Sequence, residues 1–346
     1  MPIRTGLIGF GTAGRVFHAP LISAAPRYEL AAVVTSSADR AAVVRAEYPA
    51  TDVLDDVDRL IHRAGDLDLV VIGSPNETHA PLAMRAIEAG LHVVVDKPMA
   101  VTSEAARSMA EAAARAGTSL TVFQNRRWDG DYLTLKAAVA RGDLGQVQQF
   151  DSAFEWWKPT LGQRWKDTTR VESGGGILYD LGPHLVDQAL QLFGEVRAVR
   201  AELDVRRPGG LADDDSFLSL HHTSGVRSRL WMSAVAPAPR PRFRVVGSRA
   251  VFRSEGLDPQ EAHSIAGRRP EDQGFGLHDD GRTAVLETPG GVQPVPLLAG
   301  DYLEFYRLLA DSLIHGGPVP VDPAESIRAL EIIEQAQRTW SAPAAR

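Results

Sequence analysis

Cysteine is missing altogether from this sequence of 346 residues. Its absence excludes disulfide bonds, iron–sulfur clusters, cysteine-ligated zinc and thiol nucleophiles. Long apolar runs are missing too. None approaches the ~20 residues that a helix needs to cross a bilayer, and the N-terminus lacks the apolar core of a signal peptide. We therefore expect a cytoplasmic protein that has no membrane partner.

Positive charge is in deficit, and lysine is scarcer still. The formal net charge is −7, so a broad basic face is not expected and nucleic acid is not a predicted partner. Lysine occurs only at positions 97, 136, 158 and 166, and arginine supplies nearly all the remaining positive charge. Because arginine is used almost everywhere else, the lysine at position 97, in a predicted loop, indicates that an ammonium group is required there.

Two patterns of secondary structure follow one another along the chain. Up to about residue 125, short apolar runs alternate with helical patterns at the spacing that is typical of a parallel, doubly wound sheet. Beyond that point, consecutive strands joined by short turns indicate a mostly antiparallel sheet. We therefore predict an α/β chain in which a doubly wound domain (residues 1–124) precedes an α+β domain with a large open sheet (residues 125–346).

A glycine-rich turn follows the first predicted strand and opens a helix. Gly9 permits a tight turn, Gly11 lets the backbone approach a pyrophosphate, and Gly14 lets the helix pack closely on the strand. The N-terminus of that helix also presents free N–H groups to phosphates. We predict that a dinucleotide binds against Gly9, Phe10, Gly11, Thr12, Ala13 and Gly14.

The end of the second predicted strand bears on which dinucleotide is bound. NAD sites usually place an acidic residue there to accept hydrogen bonds from the ribose 2′-hydroxyl. This chain instead has the hydroxyls of Ser36 and Ser37, followed by Arg40, and such groups can hold a 2′-phosphate that a carboxylate would repel. The sequence therefore favours NADP. Asp39 keeps NAD as the alternative, and Ser37 can equally be an ordinary helix N-cap.

Polar residues follow two later strands of the predicted parallel sheet. The carboxyl ends of such strands are where ligands bind in open α/β folds. A lysine there, Lys97, can bond a substrate oxygen and stabilise its alkoxide character, although a surface salt bridge between Lys97 and Asp96 is the plain alternative. We assign these residues to the cofactor site: Ser74, Pro75, Asn76, His79, Asp96, Lys97 and Pro98.

An aspartate and a histidine lie four residues apart after a run of glycines at 174–176. On a helix, Asp180 and His184 share one face, and the glycines are expected to let the backbone pass close to a ligand. The carboxylate can orient a hydroxyl group whose proton the imidazole takes near neutral pH. The alternative is a capping aspartate and a buried, hydrogen-bonded histidine. A later acidic run, residues 213–215, is expected to form a solvated turn.

Together these motifs resemble the Gfo/Idh/MocA oxidoreductases, and most of all the scyllo-inositol dehydrogenase-like branch. The stretches that carry the resemblance are G-F-G-T-A-G, R-V-F-H-A-P-L-I, V-V-D-K-P, N-R-R-W-D and Y-D-L-G-P-H-L-V-D-Q, and it extends over nearly the whole chain. It implies a Rossmann domain followed by an open α/β domain whose sheet supports a homodimer or homotetramer. It also implies a nicotinamide cofactor and a small-molecule polyol or sugar as substrate.

Carried over residue by residue, the resemblance assigns catalysis to Lys97, Asp180 and His184. Lys97 matches the lysine of the family's E-K-P, and Asp180 and His184 match its D-x-x-x-H. The chain departs from the family in having Asp96 where glutamate is usual and Pro183 inside the D-x-x-x-H. The residues expected to bind substrate are Lys97, Asn125, Arg126, Trp165, Asp180 and His184.

The expected reaction is the oxidation of a secondary ring hydroxyl, without a metal, by hydride transfer to a nicotinamide. His184 removes the hydroxyl proton, Lys97 stabilises the developing negative charge, and Asp180 orients His184 or the substrate. Two other classes stay open. One is a glycosidase that uses a transient, cofactor-dependent oxidation, and the other is a non-catalytic, nucleotide-binding regulator of sugar metabolism.

Overall fold

A computed structural model of the protein describes residues 1–162 and 168–339. Over these residues the chain divides into two compact units. The boundary predicted between residues 124 and 125 stays a prediction, but the first unit also takes in two segments from late in the chain. The first unit comprises Met1–Trp128, Pro259–Gly276 and Asp301–Ile327, and the second comprises Asp129–Asp258, Leu277–Gly300 and the described residues from Arg328 onward.

The first unit is built on a parallel sheet of six strands in the order β3-β2-β1-β4-β5-β6. Every residue of β4 is buried, and its apolar, largely β-branched sequence suits a parallel strand that is covered on both faces. The predicted doubly wound sheet is confirmed. The strands are β1 (Ile3–Ile8), β2 (Tyr28–Val34), β3 (Asp52–Leu54), β4 (Leu69–Ile72), β5 (His92–Asp96) and β6 (Leu120–Phe123).

Helices connect these parallel strands. The chain leaves β1 through the glycine turn and enters a π-helical turn, Ala13–His18, after which the N–H of Ala19 donates to the carbonyl of Gly14. The longest of the connecting helices begins at a threonine cap, where the Thr102 hydroxyl accepts from the N–H of Ala105. The helices are α1 (Ala19–Ala24), α2 (Ala38–Glu47), α3 (Val57–Ile61), α4 (Asn76–Glu88) and α5 (Ser103–Ala116).

The second unit is built on a sheet of eight strands in the order β14-β13-β12-β11-β7-β10-β9-β8. Strands β7 and β10 are parallel and the other neighbours are antiparallel, which confirms the mostly antiparallel sheet. Buried and half-exposed side chains alternate along β9, as expected when one face of the sheet is covered. The strands are β7 (Val147–Glu155), β8 (Val196–Asp204), β9 (Asp215–His222), β10 (Arg227–Ser233), β11 (Phe243–Gly247), β12 (Val251–Ser254), β13 (Thr283–Thr288) and β14 (Gly291–Pro296).

The remaining helices complete each unit. Helix α7 covers the sheet of the second unit, where it contacts β7, β9 and β10. In the first unit, Phe305 and Tyr306 pack on Phe123 of β6 with ring centroids 5.0 and 6.0 Å apart. No helix among the described residues is long and apolar enough to cross a bilayer. The helices are α6 (Gly130–Ala140), α7 (Ile177–Phe193), α8 (Gln260–Ile265), α9 (Leu303–His315) and α10 (Pro323–Thr339).

Candidate active site

The glycine turn after β1 has the geometry that a pyrophosphate site needs. Gly9 adopts a φ of +96°, and a Cβ there would lie 2.7 Å from the carbonyl oxygen of Gly73. A Cβ at Gly14 would collide with the carbonyl oxygen of Gly9. A Cβ at Gly11, by contrast, would meet nothing within 4 Å. Two of the glycines are therefore required by the fold itself, and Gly11 leaves open backbone that a pyrophosphate can approach.

A surface cleft of about 310 Å³ lies where β2 and β3 end. Ser37 does cap α2, since its hydroxyl accepts from the N–H of Arg40 at 3.4 Å, but it also lines the cleft. Arg40 is exposed and does not line it. Two arginines that the sequence reasoning missed do so. The lining residues are Thr35, Ser36, Ser37, Ala38, Ala41, Arg45, Val53, Leu54, Asp55 and Arg59.

His79 ties together two of the predicted cofactor loops. It is fully buried, and its Nε2 lies 2.9 Å from the carbonyl oxygen of Ser74 while its Nδ1 lies 2.8 Å from that of Pro98. Burial lowers the pKa of His79, with the nearby Asp96 opposing the shift. The ring thus lies between the loop after β4 and the loop after β5 and contacts the backbone of both. The first of these loops also contains Asn76, which is buried where α4 begins.

A second buried histidine, His18, lies next to Asp96. Burial raises the pKa of Tyr306, and its hydroxyl is hydrogen-bonded to His18 Nδ1 at 2.7 Å. The other nitrogen, Nε2, faces Asp96 Oδ1 at 3.9 Å. Burial lowers the pKa of His18 to about 4. A neutral imidazole thus lies next to the residue that precedes Lys97. His18 belongs to the R-V-F-H-A-P-L-I stretch of the resemblance, but no role was predicted for it.

Lys97 lies half-buried in the loop after β5, and its peptide bond to Pro98 is cis. Asn125 and Arg126 follow β6 at the same sheet edge and are buried. The Arg126 guanidinium donates to the Tyr302 hydroxyl at 3.0 Å and to Glu261 at 2.8 Å, all within the first unit. A substrate contact by Arg126 stays a prediction beside these structural bonds. Trp165, the remaining predicted contact, lies outside the described residues.

In the second unit, Asp180 and His184 both lie near the start of α7. Asp180 is half-buried in the first turn and His184 is buried one turn later, so the two share a helix face as predicted. The ring of Phe154 packs against that of His184 with centroids 6.4 Å apart. Because Lys97 belongs to the first unit, its meeting with this pair in one site stays a prediction.

The glycines before α7 were expected to let the backbone pass close to a ligand, but the structure requires them for a different reason. A Cβ at Gly175 would collide with the carbonyl oxygen of Thr169, and one at Gly176 would collide with the Asp213 carboxylate. The run therefore packs against the protein itself. The expectation of a solvated turn at residues 213–215 is wrong for Asp213 and Asp214, which are buried and hydrogen-bonded. Tertiary partners, which composition does not show, decide this burial.

The first unit brings most of the predicted residues to one edge of its sheet. The glycine turn and the loops after β2, β4, β5 and β6 all follow the carboxyl ends of parallel strands, and the strand order reverses beside β1. A glycine turn at that switch point defines a Rossmann-type dinucleotide-binding protein.

Comparison with known proteins places the chain in a family. Residues 3–124 match a model described as an oxidoreductase family with an NAD-binding Rossmann fold, and residues 132–253 match the GFO/IDH/MocA C-terminal domain. The chain belongs to the GFO/IDH/MocA oxidoreductases, and the resemblance drawn from its motifs is confirmed.

Individual relatives match over almost their whole length. The chain is 40% identical over 334 residues to YdgJ, an uncharacterised oxidoreductase of Escherichia coli, covering 96% of this chain and 94% of YdgJ. It is 32% identical over 341 residues to IolW of Bacillus subtilis, a scyllo-inositol 2-dehydrogenase (NADP(+)), covering 97% and 93%. The structure of the YPO2259 oxidoreductase of Yersinia pestis matches with a TM-score of 0.90 at 40% identity, covering 98% of this chain and 95% of that one.

Proposed function

We propose that the protein is an NADP-dependent dehydrogenase that oxidises a secondary ring hydroxyl of a cyclic polyol or sugar, with scyllo-inositol as the type of substrate. The observation that carries the proposal is the shared sheet edge, where the open backbone of Gly11 and the Lys97 loop both follow carboxyl ends of parallel strands. The relative IolW, which is named for scyllo-inositol and NADP(+), supports both the substrate class and the cofactor.

The cleft at the ends of β2 and β3 supports NADP rather than NAD. It presents the hydroxyls of Ser36 and Ser37 and the guanidinium groups of Arg45 and Arg59. Hydroxyls donate to phosphate oxygens, and arginine binds phosphate through charge-assisted hydrogen bonds. One carboxylate also lines the cleft, but Asp55 is already paired with Arg59 at 3.1 Å. The cleft is thus equipped for the 2′-phosphate that distinguishes the two dinucleotides.

The protein's own side chains divide the acid–base work. The His184 imidazole takes the proton of the substrate hydroxyl, and the Lys97 ammonium offsets the negative charge that develops on the oxygen. Asp180, one helical turn before His184, orients the hydroxyl or the imidazole. A bound nicotinamide supplies the hydride acceptor. We infer that the substrate is held where Lys97 and the Asp180–His184 pair both reach one oxygen, by analogy with the family pattern.

The proposal is tested by assaying a panel of inositols and aldoses with NADP and with NAD, following reduced nicotinamide by absorbance. We expect oxidation of at least one cyclic polyol or sugar, with NADP preferred. Lys97→Met should lower turnover by ~10²–10⁴-fold while leaving NADPH binding nearly intact. Lys136→Met, an exposed lysine on α6, is the matched control and should behave as wild type.

Three outcomes would contradict the proposal in different ways. Turnover that survives in Lys97→Met would show that the role given to Lys97 is wrong. Release of free sugar from a glycoside without net NADPH formation would identify a glycosidase. Tight nucleotide binding with no reaction on any member of the panel would favour a regulator.

A further inference from the structure

Helix α7, which carries Asp180 and His184, begins without a capping side chain of its own. Its N-cap is Gly176, which has no side chain, so the first N–H groups need acceptors from elsewhere. Asp213 supplies them from 35 residues away. Its carbonyl oxygen accepts from the N–H of Ile177 at 2.7 Å, and its Oδ2 accepts from the N–H of Leu178 at 2.8 Å.

Asp213 is itself held firmly. The hydroxyl of Ser216 donates to its Oδ2 at 2.6 Å. Its neighbour Asp214 is fully buried and accepts from the backbone N–H groups of Arg206 and Arg207 and from Nε of Arg207, at 2.7 to 3.0 Å. The loop that joins β8 to β9 is therefore a fixed support for the start of the helix.

The fit between Asp213 and the helix start leaves no room for adjustment. Gly176 has a φ of +97°, and any Cβ there would collide with the Asp213 carboxylate. Any larger residue at position 176 would therefore displace the Asp213 carboxylate from the start of the helix. Asp180 lies two residues beyond Leu178, so its position along the first turn depends directly on where Asp213 anchors the chain.

We propose that Asp213 is a positioning residue that fixes the first turn of α7 and thereby the placement of Asp180 and His184. The proposal rests on the proposed function for the roles of those two side chains. A shift of about 1 Å in a catalytic group can cost ~10²-fold in rate. Loss of this anchor should therefore lower turnover by displacing Asp180 and His184.

A first experiment measures the anchor without any substrate. Amide hydrogen exchange of the full-length protein is followed by mass spectrometry over the peptide that contains residues 174–182. In Asp213→Ala we expect exchange at Leu178, whose N–H loses its side-chain acceptor, to quicken at least tenfold, and exchange at Ile177, whose acceptor is the retained backbone carbonyl oxygen, to change less. Asp213→Asn keeps a side-chain oxygen that accepts and should restore most of the protection. Asp215→Ala, a half-exposed neighbour, is the matched control and should leave exchange unchanged.

A second experiment measures the consequence for catalysis. With a substrate from the panel, we expect kcat to fall tenfold or more in Asp213→Ala, KM to change less than kcat, and the Kd for NADPH to stay within twofold of wild type. Rescue of kcat by Asp213→Asn separates positioning from misfolding. Ser216→Ala keeps the Asp213 carboxylate and removes only the hydroxyl that donates to it, so kcat should fall less than in Asp213→Ala. This variant also tests the anchor if Asp213→Ala does not fold.

The outcomes separate this inference from the proposed function. Unchanged exchange in Asp213→Ala would overturn the anchor, and faster exchange with an unchanged kcat would overturn its role in positioning. If wild-type protein oxidises nothing in the panel, the proposed function fails, and exchange at Leu178 still decides whether the Asp213 side chain fixes the helix start.

Discussion

Replacing Arg59 by alanine should weaken the binding of NADPH and leave that of NADH almost unchanged. Arg59 lines the cleft at the end of β3, where its guanidinium pairs with Asp55 at 3.1 Å. The two side chains are 67% and 72% exposed, and such exposed pairs contribute only ~0–1 kcal/mol. The guanidinium has five N–H donors, so Arg59 can meet a phosphate while it still offsets the charge of Asp55, and any weakening of the pair costs little.

The expected size of the effect follows from these terms. A hydrogen bond to a charged group contributes ~1.5–3 kcal/mol. Subtracting up to ~1 kcal/mol for the weakened pair with Asp55 leaves a net contribution of ~0.5–3 kcal/mol, which at 1.4 kcal/mol per tenfold is a ~2–140-fold weaker Kd for NADPH. NADH has no 2′-phosphate, so its Kd should change by less than ~twofold.

The assay is a fluorescence titration of each reduced nucleotide against wild type, Arg59→Ala, Arg45→Ala and Arg63→Ala. Arg63 is the control, since its guanidinium is bound to Asp52 at 2.8 Å and does not line the cleft. The weakening for NADPH should also shrink at high salt, because an exposed phosphate contact is screened. Equal losses for NADPH and NADH, or no loss for either, would refute the assignment of this cleft to the 2′-phosphate.

Three further predictions concern the fold. Gly11→Ala should fold with a free energy of unfolding within ~0.5 kcal/mol of wild type, yet it should bind NADPH at least tenfold more weakly. Gly14→Ala should instead lose ~3 kcal/mol of stability in urea unfolding, because its Cβ would collide with the carbonyl oxygen of Gly9. Burial raises the pKa of Asp213 from 3.8 to about 6, so the folded state binds its proton more tightly and this contribution to stability is lost as pH rises through that window. Urea unfolding from pH 4 to 7 should show a fall of up to ~3 kcal/mol from this group that is absent in Asp213→Asn, and an equal slope in that variant would contradict the assignment. Arg242→Ala should cost ~3–5 kcal/mol, because it removes a buried cation that lies 3.8 Å from Asp131 and bonds Gln188 at 2.8 Å; a loss below ~1 kcal/mol would show that the network contributes little.

The parts of the site that the sequence predicted well are those set by neighbours along the chain. The glycine turn follows an apolar strand and opens a helix. Gly9 and Gly14 are explained by atoms of the same strand–turn–helix unit or of the loop after the neighbouring strand. Asp180 and His184 share a face simply because four residues make about one helical turn. Local spacing is sufficient for such features.

The cleft arginines show where local reasoning stops. The rule for the dinucleotide uses residues just after β2, and it selected Arg40, which is exposed and does not line the cleft. Arg59 instead follows β3, a strand of only three residues, and reaches the cleft because β3 pairs with β2. The sequence signal for the short strand β3 is weak, so its pairing with β2 was not used in the prediction. With β3 placed beside β2, Arg59 would have been a candidate cofactor residue.

The structural roles of Asp213, which was expected in a solvated turn, and of His79, which was expected at the cofactor, went unpredicted for one shared physical reason. Each is a buried polar group that meets backbone atoms of another loop or helix: Asp213 accepts from the start of α7, and His79 lies between the carbonyl oxygens of Ser74 and Pro98. Buried backbone groups must find hydrogen-bond partners. Regular secondary structure does not supply partners for a functional loop or for the first turn of a helix. Side chains from other parts of the chain must therefore supply them. Residues that hold a functional loop are therefore better sought by asking which backbone groups need a partner than by reading outward from a motif.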